Sequence, residues 1–138
     1  MILVDTSAWI EFDRASGSDV DRRLTALIER EAEIAVTEPV SMELTAGARD
    51  DRAAARLRDH LLRYRLLSVD PAADFDAAAR VYRRCRRAGV TPRGMVDCLI
   101  AAVAWRHGAT LLTCDADLER IAMVMGLALD RPADAGPP

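Results

Sequence analysis

Short aliphatic runs alternate with longer segments of helical periodicity along most of this 138-residue chain. The runs that predict strands cover residues 2–4, 33–37, 66–69, 109–113 and 127–129. Because helical segments separate these runs, the strands are expected to be parallel and covered by helices on both faces. The sequence therefore predicts a three-layer α/β/α domain with a central parallel sheet of four to five strands.

Proline and glycine mark the ends of the predicted helices. Pro39 begins a short helix, Pro71 begins a long amphipathic one, and Gly108 ends a helix predicted over residues 92–107. The inward face of the long helix is predicted to carry four residues: Phe75, Ala78, Tyr82 and Cys85. Residues 1–129 are predicted to form one domain, and the polar, proline-rich residues 130–138 are predicted to be a disordered tail.

Composition narrows the class of protein. The longest apolar stretch, residues 98–105, is too short to span a membrane. The N-terminal segment carries an acid at position 5, whereas a signal peptide begins with basic residues, so a cytoplasmic chain is expected. Three unpaired cysteines are predicted to be buried thiols. The net charge is −3, and all 19 basic residues are arginines, which suit forked contacts with phosphate or carboxylate.

Four acids lie where a ligand site is expected. Asp5 ends the first strand, Asp115 follows the strand predicted over 109–113, and Glu43 and Asp97 lie in apolar helical segments. Ligand sites in open α/β sheets collect beyond the carboxyl ends of the strands. Four converging carboxylates need a compensating cation, and oxygen-only ligands favour Mg²⁺ or Mn²⁺.

Each acid also has a structural interpretation. Asp5 and Asp115 are suited to N-cap the helices that follow them. Asp97, predicted to lie well inside its helix, can pair with Arg93 one turn earlier, and Glu43 can be a solvated flank. Arg93 is alternatively a contact for substrate phosphate.

Two further sequence features each allow more than one interpretation. Trp9 and Trp105 are expected in the core or in an interface. A stripe of arginines on the long helix either attracts a phosphate-rich ligand or is a solvated helix face. Its members are Arg80, Arg83, Arg84 and Arg87.

Four motifs in order resemble one protein family. They are residues 2–7 around Asp5, 39–47 around Glu43, 92–102 around Asp97, and 111–121 around Asp115. Over residues 2 to about 129, this ordered set closely resembles the PIN-domain ribonucleases, and among them the VapC toxins of bacterial toxin–antitoxin pairs.

The resemblance implies both an activity and partners. Asp5, Glu43, Asp97 and Asp115 are then expected to gather at one end of the sheet and hold Mg²⁺ or Mn²⁺ for endonucleolytic RNA cleavage. A homodimer is implied, as is a VapB-type antitoxin that blocks the site and provides the only contact with operator DNA.

The resemblance also marks supporting residues. Thr6 and Thr113 match hydroxyl positions that hydrogen-bond to the site, and Asp117 matches a further acid outside the direct ligands. Within this scheme Asp5, Asp97 and Asp115 are direct ligands, and Glu43 is a ligand or the group that orients and deprotonates the attacking water.

Rival classes fit the sequence less well. A receiver domain needs a lysine near its acids, a haloacid-dehalogenase-type phosphatase needs an acid where Ser7 stands, and no phosphate-binding glycine loop is present. The remaining alternative is a non-catalytic RNA-binding or scaffold protein with an acidic, metal-free pocket.

Overall fold

The strands form a single parallel sheet. The computed structural model describes residues 1–131. Its four strands are β1 (Ile2–Val4), β2 (Ile34–Val36), β3 (Arg65–Leu66) and β4 (Thr110–Leu112). Their order is β3-β2-β1-β4, with every neighbouring pair parallel. Leu129 adds one parallel bridge to Leu111, so the fifth predicted strand is reduced to a single pairing.

Seven helices cover this sheet within the described residues. They are α1 (Thr6–Asp13), α2 (Asp19–Glu29), α3 (Glu38–Ala46), α4 (Asp51–Leu61), α5 (Pro71–Arg87), α6 (Met95–His107) and α7 (Ala116–Met125). Helix α1 packs on α2 and α3, and α3 packs on α4, whereas α5, α6 and α7 pack on one another. The predicted three-layer α/β/α fold with a central parallel sheet is therefore confirmed.

The order of the strands places a ligand site. From β1 the chain moves to β2 and β3 on one side, and it later returns to the other side of β1 to form β4. The direction of winding therefore reverses between β1 and β4, which is where open α/β sheets bind ligands at the carboxyl ends of their strands. Helices α3 and α6, from the two helical groups, meet each other as well.

The core lies around the two central strands and α6. Leu3, Val4, Leu111 and Leu112 are at most 1% exposed, and residues 100–104 of α6 are all buried. Burial of aliphatic surface on this scale is the main force that holds the sheet and the helices together. No helix within residues 1–131 is both long and apolar enough to cross a membrane.

The inward face of α5 differs from the prediction. Phe75, predicted to face inward, is 59% exposed, while the neighbouring Asp74 is 1% exposed. Two nitrogens of the Arg106 guanidinium donate to the two Asp74 carboxylate oxygens, both at 2.8 Å. Because Arg106 neutralises Asp74, this acid occupies the inward position at the start of the helix, and Phe75 turns to solvent.

One other burial prediction is wrong, because Cys114 is exposed in the turn between β4 and α7. Trp105, expected in the core or in an interface, is 55% exposed, which excludes the core and leaves the interface. Neighbouring Ala104 fills the inward position beside Trp105 and is fully buried. Trp9, Cys85 and Cys98 are buried as predicted, with Trp9 only 3% exposed.

The domain extends past its predicted boundary. Asp130, assigned by its sequence to the tail, donates its backbone N–H to the Leu111 carbonyl at 2.8 Å. Its carboxylate also accepts hydrogen bonds from Arg23 at 2.6 and 2.9 Å. These bonds tie α2 to the chain that follows the last pairing of the sheet. In the rest of the predicted tail Arg131 is exposed, and residues 132–138 lie outside the described residues.

Candidate active site

Asp5 follows β1 directly and is the N-cap of α1. Its Oδ1 accepts hydrogen bonds from the Ala8 backbone N–H at 3.2 Å and from the Ser7 hydroxyl at 2.8 Å, and its Oδ2 accepts one from Thr113 at 3.0 Å. Asp5 is 3% exposed, and burial raises its pKa to about 6, although these hydrogen bonds lower it. The N-cap interpretation of Asp5 is therefore confirmed.

Asp115 has the same relation to β4 and α7. Its Oδ1 caps the helix by accepting from the backbone N–H groups of Asp117 at 2.8 Å and Leu118 at 3.0 Å. Its Oδ2 has no hydrogen-bond partner within residues 1–131. The cap interpretation is confirmed here too, but it uses only one oxygen and leaves the other for a ligand.

Two hydroxyl groups join the ends of β1 and β4. Thr113 donates to Asp5 and accepts from the Asp115 backbone N–H at 3.0 Å. Ser7 lies 3.2 Å from the Thr113 hydroxyl and accepts from the Cys114 N–H at 3.0 Å. The sequence predicts a supporting role for Thr113 but not for Ser7, whose only sequence signal is a small hydroxyl residue two positions after the strand-end acid.

Glu43 comes to the site from α3. It is half-buried, and its Oε1 accepts a hydrogen bond of 2.7 Å from the Thr6 hydroxyl. Glu43 is therefore held against α1, while part of its surface stays exposed as the solvated-flank interpretation expects. Thr6, in the first turn of α1, connects Glu43 to the helix that Asp5 caps.

Asp97 lies in the first turn of α6, not well inside its helix. The helix begins at Met95 because Gly94 is an extended N-cap, so the predicted start at residue 92 is wrong. The predicted alternative of an Arg93–Asp97 ion pair is also wrong, since Asp97 has no ion-pair partner among the described residues. Burial is the main cause that raises the pKa of Asp97 to about 6.

Neighbouring carboxylates raise the pKa of Asp97 further. The contributing groups are Asp115, Glu43, Asp117 and Asp5, in decreasing order. The ionised form of Asp97 is therefore disfavoured by the charge of each of the other acids predicted for the site. Such a concentration of like charge disfavours full ionisation unless a cation is present.

The acids share a region without forming a ready-made metal site. Among residues 1–131, no three acidic, histidine or cysteine side chains are arranged as a set of metal ligands. Asp5 has both oxygens bonded inside the protein, and Glu43 is held by Thr6. The donors nevertheless suit a hard divalent cation, because all are carboxylate oxygens and those of Asp97 have no hydrogen-bond partner in the described part of the chain.

Asp117 supports the turn that precedes α6. It is 2% exposed, and its Oδ2 accepts a 2.9 Å hydrogen bond from the backbone N–H of Arg93. Its Oδ1 is 3.8 Å from the Arg120 guanidinium. Asp117 thereby fixes the segment that leads into Asp97, while the Arg93 side chain remains exposed.

We expect Asp117→Asn to keep most of the activity, because an amide oxygen can still accept from the Arg93 N–H. Asp117→Leu leaves that partly buried donor without its acceptor, at a cost of about 1 kcal/mol, and should lower kcat/KM about 10-fold. Cleavage rates and Tm of both variants check this, with Asp115→Asn as reference. If Asp117→Asn is as damaging as Asp115→Asn, Asp117 acts through its charge and not through this hydrogen bond.

The fold and the placement of these acids define a class of protein. A family model for the PIN domain matches residues 2–124, so the chain belongs to the PIN-domain family. Two curated relatives share 48% identity over 128 residues, covering 92% of this chain and 96% of each relative. They are VapC ribonuclease Mb1587 of Mycobacterium bovis and ribonuclease VapC11 of Mycobacterium tuberculosis. Within the PIN family the chain is thus one of the VapC ribonucleases, as the sequence predicts.

A solved structure has the same fold. The crystal structure of VapBC2 from Rickettsia felis, bound to a DNA fragment from its promoter, contains a chain that aligns with a TM-score of 0.71. The alignment covers 94% of this chain and 98% of that one, at 20% sequence identity. The arrangement of strands and helices is therefore retained where most of the sequence has diverged.

Proposed function

We propose that this VapC ribonuclease is a Mg²⁺- or Mn²⁺-dependent endoribonuclease and the toxin of a toxin–antitoxin pair. The metal ligands are Asp5, Asp97 and Asp115, with Glu43 as a fourth ligand or as the base. The observation that carries the proposal is the raised pKa of Asp97, about 6, to which burial contributes most and the charges of Asp115, Glu43 and Asp5 add.

The residues of the site have different roles in phosphodiester hydrolysis. When bound, the cation activates a water near neutral pH and neutralises charge on the scissile phosphate. Ser7 and Thr113 orient Asp5 by hydrogen bonds, and Asp115 presents its uncapped oxygen. Thr6 fixes Glu43 in the orientation from which it takes a proton from the attacking water.

Arg93 is proposed to contact a phosphate of the substrate. Its guanidinium is exposed next to the turn that leads into α6, and it has no ion-pair partner within residues 1–131. The hydrogen bond from its backbone to Asp117 holds that turn in place. A planar guanidinium at this position suits the forked contact that a phosphate accepts.

The proposed partners are those that the resemblance to the VapC toxins implies. We propose a homodimer in the cytoplasm that is inhibited by a VapB-type antitoxin and reaches operator DNA only through it. The Rickettsia felis structure, a VapBC2 assembly on promoter DNA, supports an assembly of this kind. The net charge of −3 supports indirect DNA contact, because direct binding depends on neutralising phosphates with basic residues.

Cleavage assays with and without metal test the proposal. End-labelled structured RNAs are incubated with the protein in Mg²⁺, in Mn²⁺ or in EDTA, and Mn²⁺ binding is followed by calorimetry. Cleavage is expected only with the cations, and the cut sites are then mapped on total cellular RNA. Cleavage that persists in EDTA contradicts the metal assignment. RNA binding without cleavage or metal binding supports the alternative of a non-catalytic scaffold, which the internal hydrogen bonds of Asp5 favour.

A further inference from the structure

A strongly basic segment leads into the candidate active site. Between Asp76 and Asp97 the chain has six of its 19 arginines and no acid. This segment covers the C-terminal half of α5 and the turn that joins α5 to α6. We propose that its arginines bind the phosphate backbone of the RNA beside the scissile bond, without reading the bases. The inference rests on the proposed ribonuclease function and adds the surface on which the substrate lies.

Five of the six arginines have no acidic partner. Arg80 is paired with Asp76, one turn earlier on α5, and is left out for this reason. The other five are exposed and have no acidic side chain within 4.0 Å among residues 1–131. Together they form the arginine patch: Arg83, Arg84, Arg86 and Arg87 on α5, and Arg93 in the turn. A guanidinium group without an acidic partner keeps all its donors for phosphate.

The arginine patch lies beside the acids of the site. Helix α5 packs on α6, which carries Asp97 in its first turn, and on α7, which Asp115 caps. The turn between α5 and α6 is tied to α7 as well, because the backbone N–H of Arg93 donates to the Asp117 carboxylate at 2.9 Å. The end of α5 that carries the patch is therefore the end that leads directly to Asp97.

The acids alone repel the proposed substrate. RNA is a polyanion, and the site gathers its metal ligands from carboxylates in a protein with a net charge of −3. A basic surface next to such a site raises the local concentration of RNA and holds its backbone while the cation acts on one phosphate. The arginine patch provides this surface, since no acid of the intervening sequence offsets its charge.

Repulsion within the arginine patch argues against a purely structural role. Arg83 lies three residues before Arg86 and four before Arg87, and like charges at these spacings destabilise a helix. The helix dipole favours cations near the C-terminus, but this effect is confined to the last turn, which begins after Arg83. Burial does not explain these residues either, because all of them are exposed.

The surface of this segment suits a phosphate backbone more than a folded protein. Among residues 1–131, none of the large apolar side chains that are exposed lies between Ala79 and Gly94, whereas the core of a protein interface consists of such side chains. Tyr82 is the only aromatic residue in this stretch and is half-buried, so bases have no surface on which to stack. Contacts with phosphates position the RNA but carry no sequence information.

Salt-dependent RNA binding tests the proposal. Two fluorescent single-stranded RNAs of unrelated sequence are titrated with protein carrying Asp97→Asn, to prevent cleavage, and the Kd is measured by anisotropy over a range of salt concentrations. Arg83→Gln/Arg87→Gln should bind both RNAs about 10-fold more weakly near 0.1 M salt, with a salt slope smaller by about 1.4, or 0.7 for each lost phosphate contact. An unchanged Kd and slope overturn the proposal, and so does a loss that is confined to one RNA sequence.

Two arginines on α4 provide the matched control. Arg52 and Arg58 are exposed, belong to the other helical group and have no acidic partner within 4.0 Å in the described part of the chain. Arg52→Gln/Arg58→Gln changes the net charge by the same amount and should leave the Kd and the salt slope nearly unchanged. Equal losses from the two pairs indicate a response to net charge alone and contradict a defined surface on α5.

A lysine pair separates charge from structure. Arg83→Lys/Arg87→Lys keeps both charges and should retain the salt slope, while Arg83→Gln/Arg87→Gln should not lower the Tm, because it relieves repulsion within α5. A lower Tm in the glutamine variant, together with a reduced slope in the lysine variant, means that these arginines stabilise the helix, and the proposal is then wrong.

Polyglutamate distinguishes RNA from an acidic protein partner. It is expected to bind more weakly than RNA of similar charge, because its carboxylates lack the spacing of a nucleic-acid backbone. If it binds the wild-type protein as tightly as RNA and responds equally to Arg83→Gln/Arg87→Gln, the arginine patch is a site for acidic segments of proteins, and the assignment to RNA is overturned.

The two proposals fail separately. If the wild-type protein cleaves RNA with Mg²⁺ or Mn²⁺ but Arg83→Gln/Arg87→Gln binds RNA normally, the arginine patch is wrongly assigned and the proposed function stands. If no cleavage occurs but this variant loses RNA binding as expected, the assignment of the patch stands and the catalytic function is wrong.

Discussion

Replacement of Asp97 by asparagine is expected to lower RNA cleavage on the order of 10³-fold, equivalent to about 4 kcal/mol of transition-state stabilisation. The same change should raise the Tm of the metal-free protein near neutral pH. Asparagine keeps the shape of the side chain but removes the charge that the proposed cation needs. Activity and stability are therefore expected to change in opposite directions.

The expected gain in stability comes from the environment of Asp97. Its pKa is raised to about 6 by burial and by the carboxylates around it, so its ionised form is disfavoured in the folded protein. Asp97 is only half-buried, so solvent screening reduces the gain to about 1 kcal/mol or slightly more. Thermal unfolding in EDTA at about pH 7.5 measures it.

A surface variant provides the control for Asp97→Asn. Asp59 is exposed on α4 and lies outside the acidic cluster, so Asp59→Asn should change neither cleavage nor Tm appreciably. A lower Tm in Asp97→Asn contradicts the argument and instead indicates that Asp97, in the first turn of α6, mainly stabilises the helix dipole. Undiminished cleavage by Asp97→Asn contradicts its proposed role as a ligand.

The sequence predicted the positions of Asp5 and Asp115 because parallel strands of one sheet end at the same edge. It presented N-capping and ligand binding as alternatives for each acid. In the structure Asp115 caps its helix with one oxygen only, so the two interpretations are compatible. A carboxylate has two oxygens, and a sequence does not indicate how they are divided.

The details that the sequence missed depend on residues far apart in the chain. Ser7 joins Thr113 only because β1 and β4 are neighbours in the sheet. Asp74 displaces Phe75 from the inward face of α5 only because Arg106 reaches it from α6. Local periodicity cannot predict such pairs, since apolar spacing describes one helix at a time.

The raised pKa values of Asp5 and Asp97 predict how the stability of the folded protein depends on pH. Without metal, the free energy of unfolding should fall by about 2–4 kcal/mol between pH 4 and pH 7. The pKa values of Asp5 and Asp97 are raised from 3.8 to about 6, so over this range the folded state retains protons that the unfolded state has released. Stability decreases with rising pH wherever the folded state binds more protons.

Carboxyl groups with lowered pKa values affect stability in a different pH range. The hydrogen bond from Arg106 is the main cause that lowers the pKa of Asp74 below 3.8, so its stabilising contribution is lost only under more acidic conditions. Denaturant unfolding at a series of pH values therefore separates the two effects. Asp97→Asn should reduce the decrease between pH 4 and pH 7, and Asp59→Asn should not.

Binding of Mg²⁺ or Mn²⁺ should reverse this loss of stability and release protons. Near pH 6 the carboxyl groups of Asp5 and Asp97 are about half protonated, and a cation binds only their ionised forms. Calorimetry in two buffers with different ionisation enthalpies should therefore detect a release of up to about one proton per protein near pH 6 and almost none near pH 8. Binding with no proton release at either pH contradicts a site that contains these two acids, because their protons have nowhere else to go when the cation binds.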